Sequence, residues 1–350
     1  MPIPPVLRAL LLAQGPSGYE GASAAAFRDA VSAYAEATTD VMGSVWARVP
    51  GTADGPTLAV YGHIDEIGLV VTHIDDAGFL RFAGHGWDPQ ILVGQRVTVT
   101  TRDGAIAGVV GRKPIHLLKD DDRKKVARLE EMHIDIGAKD GDDARSMVRI
   151  GDVAVIAGDP IELPNNRAVA RAMDNRLGCY VAYEAVRLIH EAGGAPGDVF
   201  AVATVQEETT FAGARTTAYA LNPDVAIVVD VTHATDAPGI DVNELGAHPF
   251  GSGPVLERGT TLHPAVFELL YETAEAEGIP FTVAASARYT GTDADAIHLT
   301  RAGIPVATVG VPLRYMHSPV EMVDLDDLAA TARLVAAFAQ RLTPGTSFTR

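Results

Sequence analysis

Long apolar runs recur along the chain and predict the strands of a buried sheet. The first begins near Thr57 and reads TLAVYGHIDEIGLVV, an almost continuous run typical of a central parallel strand buried on both faces. Similar runs lie at residues 199–205, 225–231 and 305–311. Helical periodicity lies between them, in HPAVFELLYETAEAEG and DADAIHLTRAG. Strands that alternate with helices indicate an α/β fold, with a mixed central sheet and helices on both of its faces.

The segment from about His73 to Leu163 has a different pattern. It contains short alternating pieces such as QRVTVTT and AIAGVVG, frequent glycines and little helical periodicity. We therefore predict two domains. Residues 1–72 and 164–350 form the main α/β domain, and residues 73–163 form a small β-rich insertion.

Composition and charge narrow the class of protein. The chain has 350 residues, 47% of them hydrophobic, and no apolar run approaches the roughly 18 residues that cross a bilayer. We expect a soluble protein with no membrane partner. A basic leader and a small-residue cleavage site are both lacking near the N-terminus, which favours the cytoplasm. The net charge of -17 disfavours nucleic acids as partners, because their phosphates would be repelled.

Residues that can bind metals follow each of the buried runs, at the edge where open α/β sheets place their sites. These residues are His63, Asp65, Glu207, Glu208, Asp230 and His317, and Asp174 stands just before a helical pattern. Taken singly, such residues are more often caps or satisfied polar groups. The single cysteine, Cys179, excludes a cysteine-based zinc site, and the HExxH motif is absent. The combination therefore predicts a metal site assembled from distant segments.

Carboxylates and imidazoles suit a pair of divalent ions, because the two oxygens of one carboxylate can each bind one ion. Two ions that share a carboxylate lie about 3.5 to 4 Å apart and can activate a water between them. The bridging group is Asp174 in this interpretation. The set that would hold the pair is His63, Asp174, Glu208, Asp230 and His317.

Two neighbouring glutamates, Glu207 and Glu208, are predicted to have different roles at this site. Adjacent side chains of an extended backbone point in different directions, so we expect one to bind metal and the other to move protons. Asp65 follows His63 by two residues and could accept the second N–H of the imidazole.

Two further residues are candidates for contact with a substrate. His233 lies three residues beyond Asp230. The Asp293 carboxylate could bind the amine of a substrate, and the alternative is that it caps the helix predicted to follow it.

Several segments carry a resemblance to a known family. They are GHIDEIG, GWDPQILVGQRV, GVVGRKPIHLL, IDIGA, ARAMDNRLG, VQEET, GTDADAI and LRYMHSPVE. From about Gly15 to Leu328, the chain resembles the tetrahedral (TET-type) dinuclear-metal aminopeptidases, a group with glutamyl, leucyl and deblocking members, some labelled cellulases or endoglucanases. One departure is Thr290, where a glycine is expected.

The resemblance implies a zinc-exopeptidase-like fold and a role for each candidate residue. His63 and Asp230 would bind one metal, Glu208 and His317 would bind the other, and Asp174 would bridge them. Glu207 would be the general base and Asp65 the residue that orients the imidazole. The resemblance also implies that the insertion is a dimerisation domain, and that dimers assemble into a hollow dodecamer that admits short peptides only.

The activity expected from these residues is metal-dependent release of the N-terminal residue from short peptides. Zinc is the expected ion, and cobalt or manganese also suit such an oxygen-rich pair. One alternative is another hydrolase on the same scaffold, such as a deacylase, a deblocking enzyme or a glycoside hydrolase. A second alternative is a noncatalytic scaffold protein, although all of the proposed ligands and Glu207 are present.

Overall fold

A computed structural model describes residues 2–349, except for the side chain of Asp122. The contacts within the chain divide it into two compact units. The second unit consists of Glu66–Asp159 and His317–Pro319, and the first consists of the rest of the described chain. The main segment of the second unit begins and ends earlier than the predicted insertion, residues 73–163.

Seventeen strands are formed, numbered β1 to β17 along the chain. They are Ala37–Thr39, Val45–Val49, Leu58–His63, Leu69–Ile74, Leu80–Gly84, Arg96–Thr101, Gly104–Arg112, Met132–Asp135, Val153–Ile156, Ile161–Leu163, Arg167–Ala170, Val199–Thr204, Val225–His233, Val255–Gly259, Thr282–Ser286, Val306–Arg314 and Glu321–Asp324. These seventeen strands are those of the described residues.

The α-helices of the described residues are numbered α1 to α12. They are Pro5–Leu12, Gly21–Val31, Pro89–Leu92, Asp120–Arg123, Gly141–Met147, Met173–Glu191, Glu207–Thr210, Ala212–Leu221, Val242–Leu245, Pro264–Glu277, Ala294–Ile297 and Leu325–Gln340. Two 3₁₀ turns lie at Ile115–Leu117 and Leu129–Glu131. None of the helices described is both long and apolar enough to span a bilayer.

Eleven strands of the first unit form one mixed sheet. Its path is β1-β2-β12-β3-β13-β16-β17-β11-β10, and β14 pairs with both β15 and β16. The central strands β12, β3, β13 and β16 run parallel to one another, whereas the pairs that flank them are antiparallel. The parallel strands therefore bring their carboxyl ends to one edge. This sheet confirms the predicted fold class.

Strand β3 is buried on both faces, as its continuous apolar run predicts. Leu58 and Val60 belong to a large apolar cluster to which helices α1, α2, α6, α10 and α12 contribute. Ala59 and Tyr61 belong to a smaller cluster on the opposite face, to which α8 and α11 contribute. Helices therefore cover both faces of the sheet.

The second unit is built around a closed six-stranded barrel. Its strands follow the order β4-β5-β8-β7-β6-β9 around the ring. Apolar side chains such as Leu69, Leu80 and Val97 alternate with exposed residues along the strands and fill the interior. The predicted β-rich insertion is thus a small β-barrel.

The first apolar run does not form the single strand that its continuous pattern predicts. Strand β3 ends at His63, and β4 begins at Leu69 in the barrel of the second unit. Between them, the backbone N–H of Ile64 donates to the carbonyl of Thr204 at 2.7 Å, which continues the pairing of this segment with β12 by one residue. The polar residues that follow, Asp65 and Glu66, stand where the chain passes from one unit to the other.

Two glycines allow helix α6 to pack directly on the central strands. A Cβ added to Gly62 of β3 would lie 2.2 Å from the carbonyl carbon of Gly178 in α6. A Cβ added to Gly178 would lie 2.4 Å from the carbonyl oxygen of Val229 in β13. These contacts are with backbone atoms, which cannot move aside as a flexible side chain can. The distance between the helix and the sheet is therefore set by the absence of side chains at these two positions.

Gly62→Ala tests this contact. The added methyl group forces α6 away from β3, and we expect the midpoint of thermal unfolding of the metal-free protein to fall by about 3–6 °C. The matched control is Gly21→Ala, because a Cβ at Gly21 meets nothing within 4 Å. That variant should unfold within about 2 °C of the wild type. Equal midpoints for all three proteins would show that the helix can retreat without cost.

Candidate metal centre and active site

The parallel strands align the candidate residues at one edge of the sheet. In the register of β3 and β12, His63 lies beside Thr204, so Glu207 and Glu208 follow β12 at the level where β3 ends. Asp230 lies near the carboxyl end of β13, the neighbour of β3 on its other side. The side chains of His63, Glu207 and Asp230 are buried, and that of Glu208 is half-buried.

Asp174 reaches this edge because the start of α6 is not helical. Asp174 and Asn175 have non-helical dihedral angles within the span of α6. The Asn175 side chain donates to the carbonyl of Val229 at 2.9 Å and accepts from the N–H of Gly178 at 2.8 Å. Asn175 therefore ties the first regular turn of the helix to β13. The carboxylate of Asp174 precedes that turn and approaches His63.

Three carboxylates surround the Nε2 atom of His63. Asp174 Oδ1 lies 3.1 Å away, Glu207 Oε2 lies 3.7 Å away and Asp230 Oδ1 lies 3.9 Å away. Two ligand atoms that each lie about 2.0–2.2 Å from a tetrahedral zinc ion are roughly 3.3–3.6 Å apart. Ligand atoms of His63, Asp174 and Asp230 all lie within 4.8 Å of one another, which fits one divalent ion.

Both adjacent glutamates lie close to the same imidazole. Ligand atoms of His63, Glu207 and Glu208 also fall within 4.8 Å of one another. The geometry therefore brings both glutamates to the candidate centre without assigning one to metal and the other to proton transfer. The assignment of Glu207 as the base comes from the family resemblance.

His317 belongs to the second unit, although it follows β16 in the chain. Its Nδ1 atom lies 3.1 Å from the carbonyl oxygen of Gly86 in the same unit. An imidazole that donates through Nδ1 carries its lone pair on Nε2, the tautomer that a metal ligand requires.

Asp65 holds the backbone of the two glutamates. Its Oδ1 atom accepts from the N–H of Glu207 at 3.0 Å, and its Oδ2 atom accepts from the N–H of Glu208 at 3.2 Å. The Ser17 hydroxyl donates to Oδ2 at 2.6 Å. The Nδ1 atom of His63 lies 3.2 Å from the backbone carbonyl of Asp65 and 3.4 Å from its carboxylate. The sequence pointed to the bond with the imidazole but gave no sign of the bonds with the glutamate N–H groups.

Burial and mutual repulsion perturb the titration of this cluster. Burial raises the pKa of Glu207 to about 10; His63 opposes the rise, and nearby carboxylates add to it. Burial likewise raises the pKa of Asp230 well above its usual range. The imidazole of His63 lowers this pKa, and the carboxylate of Asp174 raises it further. Burial alone would lower the pKa of His63, but the carboxylates around it raise that pKa instead. A divalent cation would relieve this crowding of acidic groups.

Asp293 lies deep beneath the edge of the sheet. Its side chain is 1% exposed, and the hydroxyl of Thr204 donates to its Oδ2 atom. Burial raises the pKa of Asp293 to about 6. Asp293 occupies the N-cap position of α11 but makes no side-chain capping bond, and the Thr292 hydroxyl accepts from the N–H of Ala294 instead. The capping alternative is therefore wrong.

The two candidate substrate contacts differ in accessibility. A substrate amine could reach Asp293 only if the groups that cover its carboxylate moved apart. His233, by contrast, is exposed at the carboxyl end of β13.

The fold, with acidic and histidine side chains at one edge of its sheet, is similar to that of solved aminopeptidases. A TET aminopeptidase from a marine sediment archaeon of the Thaumarchaeota is similar, with 36% identity, a TM-score of 0.91 and coverage of 97% of this chain and 96% of that chain. The Pyrococcus horikoshii TET1 peptidase, described as assembling into a tetrahedron or a large octahedral shell, has 29% identity, a TM-score of 0.84 and coverage of 96% and 99%.

The chain belongs to the M42 glutamyl aminopeptidase family, whose pattern matches residues 43–334. A curated relative, the lysyl aminopeptidase of Pyrococcus furiosus, is 34% identical over 97% of each chain. A Thermotoga maritima structure described as an endoglucanase is also similar, with 30% identity, a TM-score of 0.76 and coverage of 95% and 96%. These findings confirm the family that the sequence motifs indicated.

Binding of zinc to the metal-free protein should release protons. The pKa of Glu207 is raised to about 10, and those of Asp230 and His63 are raised above their usual values, so the metal-free site favours protonated groups, whereas metal ligands must be deprotonated. We expect release of about one proton or more per chain, and weaker binding as the pH falls. Titration calorimetry in two buffers of different ionisation enthalpy measures the number. Identical heats in both buffers would contradict the expectation.

Proposed function

We propose that this protein is an aminopeptidase that uses two divalent metal ions to hydrolyse the first peptide bond of short peptides. The observation that carries the proposal is the convergence of Asp174 and Asp230 on the Nε2 atom of His63, at separations that suit a shared metal ion. Membership of the M42 family supports the same activity.

The ligands divide into two sets by the family resemblance. His63 and Asp230 would hold one ion, Glu208 and His317 would hold the other, and Asp174 would bridge them. The distances around His63 support the first set. Zinc suits such a group of oxygen and nitrogen donors, and cobalt or manganese could replace it. The bound ions would supply Lewis acidity that polarises the scissile carbonyl and makes water acidic.

Glu207 is suited to carry the proton during hydrolysis. Its carboxylate is buried beside His63, and burial favours its protonated form. A positive charge nearby would lower this pKa towards neutrality, where a carboxylate can take a proton from water and then give it to the departing amine. Asp65 supports this role, because it fixes the backbone that carries Glu207.

The preferred N-terminal residue does not follow from the family. The family is described as glutamyl aminopeptidase, whereas the Pyrococcus furiosus relative is a lysyl aminopeptidase. His233 and Asp293 are candidates for recognition of the substrate. His233 is the more accessible, and Asp293 would act from below the ligands.

We infer that the protein works as a cytoplasmic homo-oligomer. Similarity to the Pyrococcus horikoshii TET1 peptidase supports a closed assembly of many copies. Dimers formed through the inserted barrel would assemble into a dodecamer, and a hollow particle of this kind would restrict substrates to short peptides.

Glycoside hydrolysis is the less suitable activity, despite the structure described as an endoglucanase. A glycosidase needs two carboxyl groups that flank a sugar, about 5–9.5 Å apart. The carboxylates described here converge on one imidazole, and donor atoms of Asp174 and Asp230 lie within 4.8 Å of each other. A deacylase or deblocking enzyme would use the same centre and is the alternative to be tested.

A panel of short peptides tests the activity. Each peptide is supplied with a free or an acetylated N-terminus, and chelated enzyme is assayed with and without zinc, cobalt or manganese. We expect release of the first residue from free-amine peptides only, and only with metal. Equal cleavage of acetylated peptides would establish the deblocking alternative. A lack of cleavage with every metal would favour a noncatalytic protein.

Two substitutions separate proton transfer from metal binding. Glu207→Gln should lower kcat by a factor of about 100 or more while metal content stays unchanged, because only the proton carrier is lost. Asp174→Ala should lose metal, because the bridging ligand is removed. Metal content is measured by mass spectrometry and kcat on the best peptide of the panel. Full activity of the Gln variant would refute the role of Glu207.

A further inference from the structure

Four consecutive backbone N–H groups before and within α7 donate to side chains from distant parts of the first unit. The bonds run from Val205 N to Ser44 Oγ at 3.3 Å, from Gln206 N to Glu20 Oε1 at 3.1 Å, from Glu207 N to Asp65 Oδ1 at 3.0 Å and from Glu208 N to Asp65 Oδ2 at 3.2 Å. The segment that carries both glutamates therefore rests in a cradle of acceptors supplied by three separate segments. We call these acceptors, Ser44, Glu20 and Asp65, the N–H cradle.

The segment needs this support because its own secondary structure is weak. Helix α7 contains only four residues, and the first N–H groups of a helix have no partner within it. Gln206 has a φ of 58°, in the left-handed region that residues other than glycine adopt at a cost. Without the N–H cradle, several buried donors would be unpaired, and the left-handed turn would relax.

Glu20 and Ser17 lie on the loop between α1 and α2 and link this loop to the cradle. Oε1 of Glu20 accepts from the N–H of Gly18 at 2.7 Å as well as from Gln206. Ser17 donates to the Asp65 carboxylate at 2.6 Å. Glu20 is 5% exposed, so its bonds lie in a region from which water is largely excluded. One short loop thus supplies the Glu20 carboxylate of the cradle and donates a hydrogen bond to the other carboxylate, that of Asp65.

The loop itself is anchored in the core. Arg176 is fully buried, and its Nη1 atom donates to the carbonyls of Leu10 at 2.7 Å and Ala13 at 3.2 Å. A Cβ added to Gly15 would lie 2.3 Å from the Ser23 hydroxyl oxygen. These contacts hold the end of α1 and the start of the loop in place. They therefore limit where Ser17 and Glu20, a few residues further along the loop, can lie.

We propose that Glu20 is a positioning residue that sets the place of the Glu207 carboxylate, with Ser17 acting in the same way through Asp65. The proposal rests on the proposed function, in which Glu207 carries the proton. Glu20 acts through the backbone of Gln206, whose N–H donates to its Oε1 atom. A shift of about 1 Å in a catalytic group can cost a factor of 100 in rate.

The position of Glu20 predicts which kinetic constant changes. Glu207 acts in the chemical step, so misplacement should lower kcat and leave KM within about a factor of two. The oxygen of a glutamine at position 20 can still accept both N–H groups, so Glu20→Gln should rescue most of the loss that Glu20→Ala causes.

The experiment compares Glu20→Ala, Glu20→Gln and Asp327→Ala with the wild type, each as the metal-loaded enzyme. Asp327 is the matched control, because it is 2% exposed and accepts from the N–H groups of Gly251 and Gly253 at 2.8 and 2.7 Å, away from the candidate ligands. Two quantities are measured: steady-state kcat and KM on a cleaved peptide, and hydrogen exchange of a proteolytic fragment that covers residues 205–210. Exchange is also followed without metal, so that one readout does not depend on activity.

Glu20→Ala should lower kcat about tenfold or more and speed exchange of the 206–208 amides about tenfold, whereas Glu20→Gln should stay within about threefold of the wild type in both. Asp327→Ala should keep kcat within about twofold. An unchanged kcat or unchanged exchange in Glu20→Ala would overturn the proposal, and so would a loss in Glu20→Gln equal to that in Glu20→Ala. If the wild type cleaves no peptide, the proposed function fails, and exchange alone then decides whether Glu20 holds the segment.

Discussion

Several carboxylates are buried together at the carboxyl edge of the parallel sheet, and their electrostatic compensation is the constraint on which the site depends. Asp65 and Asp230 are 0% and 6% exposed, yet their pKa values shift in opposite directions. Against the effect of burial, bonds from His63, Ser17 and the backbone of Glu207 lower the pKa of Asp65. Asp230 has one backbone donor, Val231, and burial raises its pKa. The protein itself thus stabilises the ionised form of the carboxylate that organises the backbone, whereas a divalent cation would stabilise the ionised form of its neighbours.

The same edge depends on close packing behind it. Gly62 and Gly178 bring α6 against β3, and Asn175 fastens the start of the helix to β13. These packing contacts, rather than a local sequence motif, place the Asp174 carboxylate beside the imidazole of His63. The candidate ligands Asp174 and His63 are therefore held by packed elements of the sheet and of α6, as a site that must keep its geometry requires.

The sequence predicted the architecture well where a single strand or helix carries its own pattern. The runs at residues 199–205, 225–231 and 305–311 became the central strands β12, β13 and β16, and the motifs indicated the family correctly. The pattern DADAIHLTRAG overstated a helix, which spans only Ala294–Ile297. Beyond it, Arg301 and Gly303 have φ values of 55° and 102°, in the left-handed region, which a continued helix does not allow.

Contacts between distant segments could not be predicted in this way. Glu20 and Gln206 are 186 residues apart, and neither belongs to a periodic pattern that would reveal their hydrogen bond. The role of Asp65 was only half visible, because its spacing from His63 suggested the imidazole and not the glutamate backbone.

The closed barrel of the second unit limits how that unit can meet another protein. Every strand of the ring β4-β5-β8-β7-β6-β9 has two neighbours, although β5 and β8 pair at one position only, Leu80 with Ile134. The longer described pairs satisfy most of their backbone donors and acceptors within the unit, which leaves little open edge for a foreign strand to extend. Another protein that binds this unit would therefore contact mainly its side chains and loops. These can differ between relatives while the barrel itself is preserved. Surfaces of this kind can change partners by substitution alone, without the risk of runaway edge-to-edge polymerisation that an open sheet carries.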